Sequence, residues 1–247
     1  MEIFYLNYCY FCIYIAKSVF MRKITRSIVF IIILAFAAGC SPEEEPQKGG
    51  GDIVVDLGLP SGTLWATWNV GANAPEEYGD FFAWGESQSK KVYNWNTYKY
   101  YKISNDGLTK YYNKVEYGYG GPIDNLTVLE ADDDVASVKW GAIWHTPTKA
   151  EWEELFQNTT GVWVIRNGVR GLLFTALNGK TLFLPAAGYR WNDKLCHNGS
   201  SIHYWSSSLY TDLPYYAWSF RVDEENSLMY GSSRSYGKSV RAVLSIH

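Results

Sequence analysis

The clearest periodicity in the chain begins at Thr148. Trp152, Leu155 and Phe156 recur at helical spacing among Lys149, Glu151, Glu153 and Glu154, which predicts a short helix with one apolar face. Thr148 stands where an N-cap belongs, and Glu151 three residues on completes a capping box. Downstream of Asn158 the period changes. The apolar runs Val162–Arg166, Gly171–Leu177 and Lys180–Arg190 are separated by Asn167-Gly168 and Asn178-Gly179. Asn-Gly between apolar runs favours a two-residue hairpin turn, because both central positions take positive φ. A meander is expected there, against which the helix buries its face. His203–Ser208, Tyr215–Val222, Ser227–Tyr230 and Ser239–Ser245 read as further strands. Upstream, Ile53–Leu57 and Thr63–Val70 flank a Gly-Pro turn and predict an opening hairpin, followed by the strand-like Phe81–Glu86. The class is α+β with antiparallel sheets, one or two helices and long loops.

Between Ser87 and Asn125 neither period is sustained. Tyr, Asn, Lys and Gly dominate, and the stretch reads as a long surface insertion of the kind that carries function or stays disordered.

The amino-terminal pattern is of another sort. Arg22, Lys23 and Arg26 precede an apolar run, Ile28–Ala38, of 11 residues. That is short of the roughly 20 residues of a membrane-spanning helix and suits the core of a secretory signal over 21–39. Phe36-Ala37-Ala38-Gly39-Cys40 resembles a bacterial lipobox, with Ala37 where Leu is usual, so lipidation is expected at Cys40. Several acyl chains on one residue anchor stably where a single chain does not. Residues 40–52 then read as a flexible acidic and Gly-rich tether. Its acidic start resembles the export signal of Bacteroidetes surface lipoproteins, which implies the exterior face of an outer membrane. Residues 1–20 sit ahead of a complete signal, so Met21 is the expected start. Cys9 and Cys12 there have redox-type spacing without a strand-helix context.

One domain over 53–247 remains. The whole chain has a formal charge of −3; without Lys17, Arg22, Lys23, Arg26 and Glu2 the part from Cys40 onward is at −6. Such a balance carries no electrostatic footprint for nucleic acid.

Val55–Ala66, Tyr78–Glu86, Thr146–Trp152, Leu184–Arg190, Tyr204–Ser208 and Ser239–Val243, taken in order, resemble the Fibrobacter succinogenes major paralogous domain, common in Bacteroidetes surface lipoproteins. The resemblance implies a C-type-lectin-like fold related to formylglycine-generating, sulfatase-modifying domains. Those enzymes use a cysteine pair shortly before their closing motif. The corresponding Ser227–Arg234 here has none, so their copper-dependent oxidation is not expected, and Cys196 lies upstream and alone.

Trp191-Asn192-Asp193 copies a triplet with which sugar-binding C-type lectins hold calcium, making Asn192 and Asp193 weak metal candidates. The companion triplet is missing, and a solvated loop is the alternative. Asp132-Asp133-Asp134 reads as a capping or solvated acidic turn. The histidines are scattered, and neither a Gly-x-Ser-x-Gly elbow nor an HExxH pair occurs, so no catalytic residue is expected. The remaining signal is aromatic. Trp65, Trp84, Trp140, Trp144, Trp152, Trp205 and Trp218 fall within apolar strands or motif phrases and read as core. Tyr98, Tyr100, Tyr101, Tyr117 and Tyr119 in the insertion, with Tyr189 and Trp191 later, are candidate contacts for a glycan or a partner protein. Packing of the insertion onto the domain is the alternative for the loop tyrosines. The expected function is a non-catalytic, lipid-anchored binding module; a sulfatase-modifier relative and a structural spacer are the competing readings.

Overall fold

The structure is a computed structural model that describes residues 53–223 and 227–244. The expected leader, signal, lipidated Cys40 and tether lie outside the described residues. Strands β1 (Val54–Val55) and β2 (Leu64–Ala66) open the domain, and β3 (Tyr101–Lys102) and β4 (Gly107–Leu108) form a small ladder inside the insertion. Helix α1 (Val135–Trp140), strand β5 (Trp144–His145) and helix α2 (Lys149–Asn158) follow. Next come β6 (Thr159–Arg166), β7 (Val169–Ala176), β8 (Thr181–Pro185), β9 (Tyr189–Trp191) and β10 (Lys194–Cys196). Strands β11 (Ile202–Leu209), β12 (Tyr216–Val222), β13 (Ser227–Ser233) and β14 (Val243–Leu244) close the chain. Among the described residues antiparallel sheets thus dominate, with two α-helices, neither long and apolar enough to cross a membrane.

The capping box at α2 forms as its residues dictate. The Thr148 hydroxyl accepts from the Glu151 amide at 3.2 Å, and Glu151 Oε2 accepts from the Thr148 amide at 2.7 Å. Trp152 and Leu155 are fully buried, whereas Phe156, expected on the same face, is 47% exposed. It lies about 70° from the centre of the stripe set by the other two, at the margin of what the sheets can cover. Trp152 stacks on Phe220 of β12 at 4.8 Å and 7°, and meets Trp65 of β2 edge-on at the same separation. One tryptophan therefore joins the opening sheet to Phe220, 68 residues further along the chain from that tryptophan.

The meander β6-β7-β8 is present. Asn167 (φ 49°) and Gly168 (φ 79°) make the two-residue turn that their chemistry favours. The second turn differs from expectation. Gly179 alone takes positive φ, and paired backbone bonds link Gly179 to Ala176 and Ala176 to Lys180, giving a three-residue loop that leaves Leu177 outside.

The terminal strands meet in a sheet of order β1-β2-β14-β5. The strand expected over Thr63–Val70 is only Leu64–Ala66, because the chain then turns inward at Asn69 and Val70, whose amide bonds the Val240 carbonyl. The insertion is also corrected. Tyr93, Tyr98, Tyr100, Tyr111 and Tyr112 are buried, and most of them join one of two core clusters with Phe82, Trp84 and Trp205. Asp134 caps α1 through the Ala136 amide, as a capping turn should, but Asp133 is buried rather than solvated.

His145 on β5 sits 2.9 Å from Glu151. Burial opposes the imidazolium, yet the bond to Glu151 lifts the His145 pKa above its ordinary value; burial likewise opposes the carboxylate, and His145 and Thr148 bring Glu151 below its own. The raised imidazole stabilises the fold below about pH 6.5 and loses this contribution as pH rises through its folded pKa; the lowered carboxylate contributes above about pH 4.3 and loses this as pH falls. Glu151→Gln should therefore destabilise most between these limits and less at pH 8, as urea melts across pH would show. An unchanging difference would remove the ion pair from the account.

Candidate functional site

The sheet β11-β12-β13 has two faces with different chemistry because side chains alternate along each strand. Tyr204, Phe220 and Met229 lie across from one another in register and pack toward Trp152, as do Ile202 and Val222. The other face aligns His203 with Arg221, and Trp205 with Ser219 and Tyr230. Lys238, fully buried, reaches this face and donates to Ser219 Oγ at 2.7 Å and to the Tyr230 hydroxyl at 2.8 Å, with its amine 4.6 Å from the Trp205 ring centre. His203 Nδ1 lies 3.1 Å from the same Tyr230 hydroxyl, and its Nε2 lies 2.9 Å from Ser201 Oγ. A hydrogen-bonded row thus runs from Ser201 through His203, Tyr230 and Lys238 to Ser219, which donates to the Tyr204 carbonyl.

Burial pushes the His203 imidazole down to about 2, and Lys238 and Arg221 add to this. Burial also holds the Lys238 amine well below the usual lysine range, with Arg221 contributing. Hydroxyls alone do not offset the loss of water around a charge, so burial disfavours the charged form of both groups in the row.

Tyr189 forms the opposite wall. Gly188 precedes it at φ 66°, where an added Cβ would lie 2.0 Å from the Cys196 carbonyl, so only glycine lets β9 and β10 close this tightly. The Tyr189 ring is near parallel to His197 (5.8 Å, 17°) and to Tyr236 (5.6 Å, 19°), and edge-on to His203 at 4.9 Å. Tyr236 is held by the tight turn at Ser233 and by the pairing of Gly237 with Arg190. Between these walls opens a cleft of ≈ 590 Å³, lined also by Ser200, Tyr216, Arg221, Asp223 and Ser232. Arg221 and Asp223 are paired at 2.6 Å at its rim. Flat rings, hydroxyls, an imidazole and a guanidinium around one opening can pack the face of a polar ring and bond its edge.

Of the residues expected to make contacts, Tyr189 lines the cleft. Trp191, 48% exposed, is on the same hairpin but outside the lining. Tyr98 and Tyr100 are corrected: at 3% and 6% exposure they offer no surface. Their hydroxyls go to the Trp84 carbonyl and to Asp133, because a long insertion can order itself only by burying its rings. Tyr101 and Tyr117 are half-buried in an aromatic group around Trp95 and Tyr215, and Tyr119 is exposed. Asn192 Oδ1 accepts from Asn94 at 3.0 Å, bracing the insertion, while Asp193 is exposed. Among the described residues no three His, Cys, Asp or Glu gather as for a metal ion. Sequence reasoning missed His203, Arg221, Tyr230, Tyr236 and Lys238. The signal present was the alternation in His203-Tyr204-Trp205 and Ser219-Phe220-Arg221-Val222, which places polar groups on one strand face.

Comparison with protein-family models, curated proteins and solved structures returned no match to this chain.

Proposed function

We propose that the chain is a non-catalytic, lipid-anchored surface module that recognises a glycan in the cleft between Tyr189 and the β11-β12-β13 face. The observation that carries this is the set of near-parallel ring faces, Tyr189, Tyr236 and His197, opening beside hydroxyl, guanidinium and carboxylate groups. Sugars present C–H faces to rings and hydroxyls to such a rim. The motif phrases support membership of the Fibrobacter succinogenes major paralogous domain and, with it, a C-type-lectin-like fold. The Gly39-Cys40 junction and the acidic tether support anchoring to an outer membrane, facing the exterior.

The test is glycan-array binding by the mature chain with Cys40→Ser. Tyr236→Ala should weaken the array signal about tenfold or more, as loss of a central aromatic contact does, whereas Trp191→Ala should leave it unchanged. Retained binding in Tyr236→Ala would sink the cleft. A protein partner is the second reading, favoured by the half-buried group Trp95, Tyr101, Tyr117 and Tyr215. Binding to a surface protein, lost in Trp95→Ala and kept in Tyr236→Ala, would select it.

A further inference from the structure

We infer that the glycan this cleft takes is acidic: its ring packs on the Tyr189 and Tyr236 faces and its carboxylate or sulfate group pairs with Arg221 above the buried Lys238. The inference rests on the cleft being a glycan site. From Cys40 onward the chain carries a formal charge of −6, yet the cleft gathers basic side chains from several elements. Arg221 on β12 is half-exposed at the rim, and His203 on β11 stands opposite it in register. His197 lies against Tyr189, and Lys238 lies beneath Tyr230 of β13. Asp223 is the single carboxylate among the described lining residues, and it already accepts from Arg221. A site for neutral sugars needs free acceptors, usually carboxylates, for the sugar hydroxyls. Here the single carboxylate is already engaged by a guanidinium.

The buried amine strengthens the case. Lys238 is fully buried, and its hydrogen bonds go to two hydroxyls, neither of which can balance a charge. Arg221 opposes its protonation, and Lys238, Arg221 and His197 all oppose that of His203; Asp223 alone acts the other way on His203. Burial first, and the like charge of Arg221 after it, thus disfavour the protonated form of both Lys238 and His203. An oxyanion placed at Arg221 adds a second negative charge to that of Asp223 and so favours protonation of the row, so that acidic ligand and proton bind together. When Lys238 takes the proton, it donates to Tyr230, Tyr230 donates to His203 Nδ1, and His203 Nε2–H donates to Ser201. The same distances serve both proton arrangements.

The experiment is calorimetry of the intact mature chain with three probes: galacturonate oligomers, neutral galactose oligomers of the same length, and inorganic sulfate. Titrations run in buffers of different ionisation enthalpy, at low and high salt. The expected result is galacturonate binding about tenfold or more tighter than the neutral oligomer, with a preference that shrinks in salt. Proton uptake should accompany the acidic oligomer only. Arg221→Gln should abolish the preference. Lys238→Met, which exchanges a buried amine for an apolar chain of similar length and so should remain folded, should reduce the uptake. Equal, Tyr236-dependent binding of both oligomers would overturn the acidic assignment and leave the glycan reading standing. No binding of either oligomer would overturn both. Sulfate binding as tightly as galacturonate, without need of Tyr236, would reduce the site to an anion pocket and end the saccharide part. Unchanged proton uptake in Lys238→Met would remove the buried amine from the account.

Discussion

Arg241→Ala is expected to cost about 3–5 kcal/mol, the range for breaking a buried charged network, and so to take away much of the stability of a domain worth about 5–15 kcal/mol. Arg241 is fully buried between the opening sheet and the meander. Its guanidinium donates to Asn69 Oδ1 at 2.9 Å, to the Ala66 carbonyl at 3.1 Å and to the Phe183 carbonyl at 3.0 Å. These acceptors belong to segments that no shared strand ladder joins: the end of β2, the turn after it, and β8. Truncation orphans all three and opens a cavity, and each buried acceptor left unbonded costs about 1–3 kcal/mol. Guanidinium denaturation of Arg241→Ala beside Arg241→Lys measures this. The lysine variant should recover part of the loss, since an ammonium can reach one or two of the acceptors but not the planar set. Near wild-type stability in the alanine variant would show that the fork is dispensable.

Asp133→Asn should be the next most damaging change, at about 2–4 kcal/mol, and should act mainly on the insertion. The carboxylate accepts from the Tyr100 and Tyr111 hydroxyls and from Lys99 and Lys110. Lys99 is half-exposed and can rehydrate, so the loss falls on the two buried tyrosines. Burial by itself would raise the Asp133 pKa, but the bonds from Lys110, Tyr100, Tyr111 and Lys99 more than reverse this and hold it well below the usual carboxylate range. A lowered folded pKa contributes stability that is fully present above the unfolded value, about 3.9, and is lost as pH falls through the folded one. The wild type should therefore release its insertion in acid while Asp133→Asn shows little further change below pH 4. Hydrogen exchange at residues 98–112 across pH 2–6 reads this directly. Identical acid profiles for the two proteins would remove Asp133 as the clasp.

Much of the fold could be read because it rests on local rules. The capping box at Thr148 and Glu151, the Asn167-Gly168 turn and the apolar runs of the meander each depend on residues within a few positions of one another, and each stands as expected. Phe156 and the Gly179 loop show the limit of such rules: the period says which side chains share a side, not how wide a surface the rest of the molecule supplies to cover it. The insertion shows it more strongly. Its lack of period is real, yet its rings are ordered by Asp133, Arg234 and Trp84, all distant in sequence. Arg234 joins Tyr98 to the carbonyls of Lys110, Tyr111 and Pro214.

The cleft divides in the same way. Tyr189 was marked as an aromatic candidate contact, and the alternating polar residues of β11 and β12 were written into the chain. By itself, then, the sequence determined which residues could form helix, hairpins and two-faced strands, because backbone propensity and side-chain period act between near neighbours. The tertiary structure alone decided that Tyr236 and Lys238, in a segment without period, come to lie against Tyr189 and Tyr230. The physical reason is that burial, desolvation and charge repulsion depend on what arrives from elsewhere in the chain. A lysine amine is pushed well below its usual range only once Trp205, Ser219 and Tyr230 have closed around it.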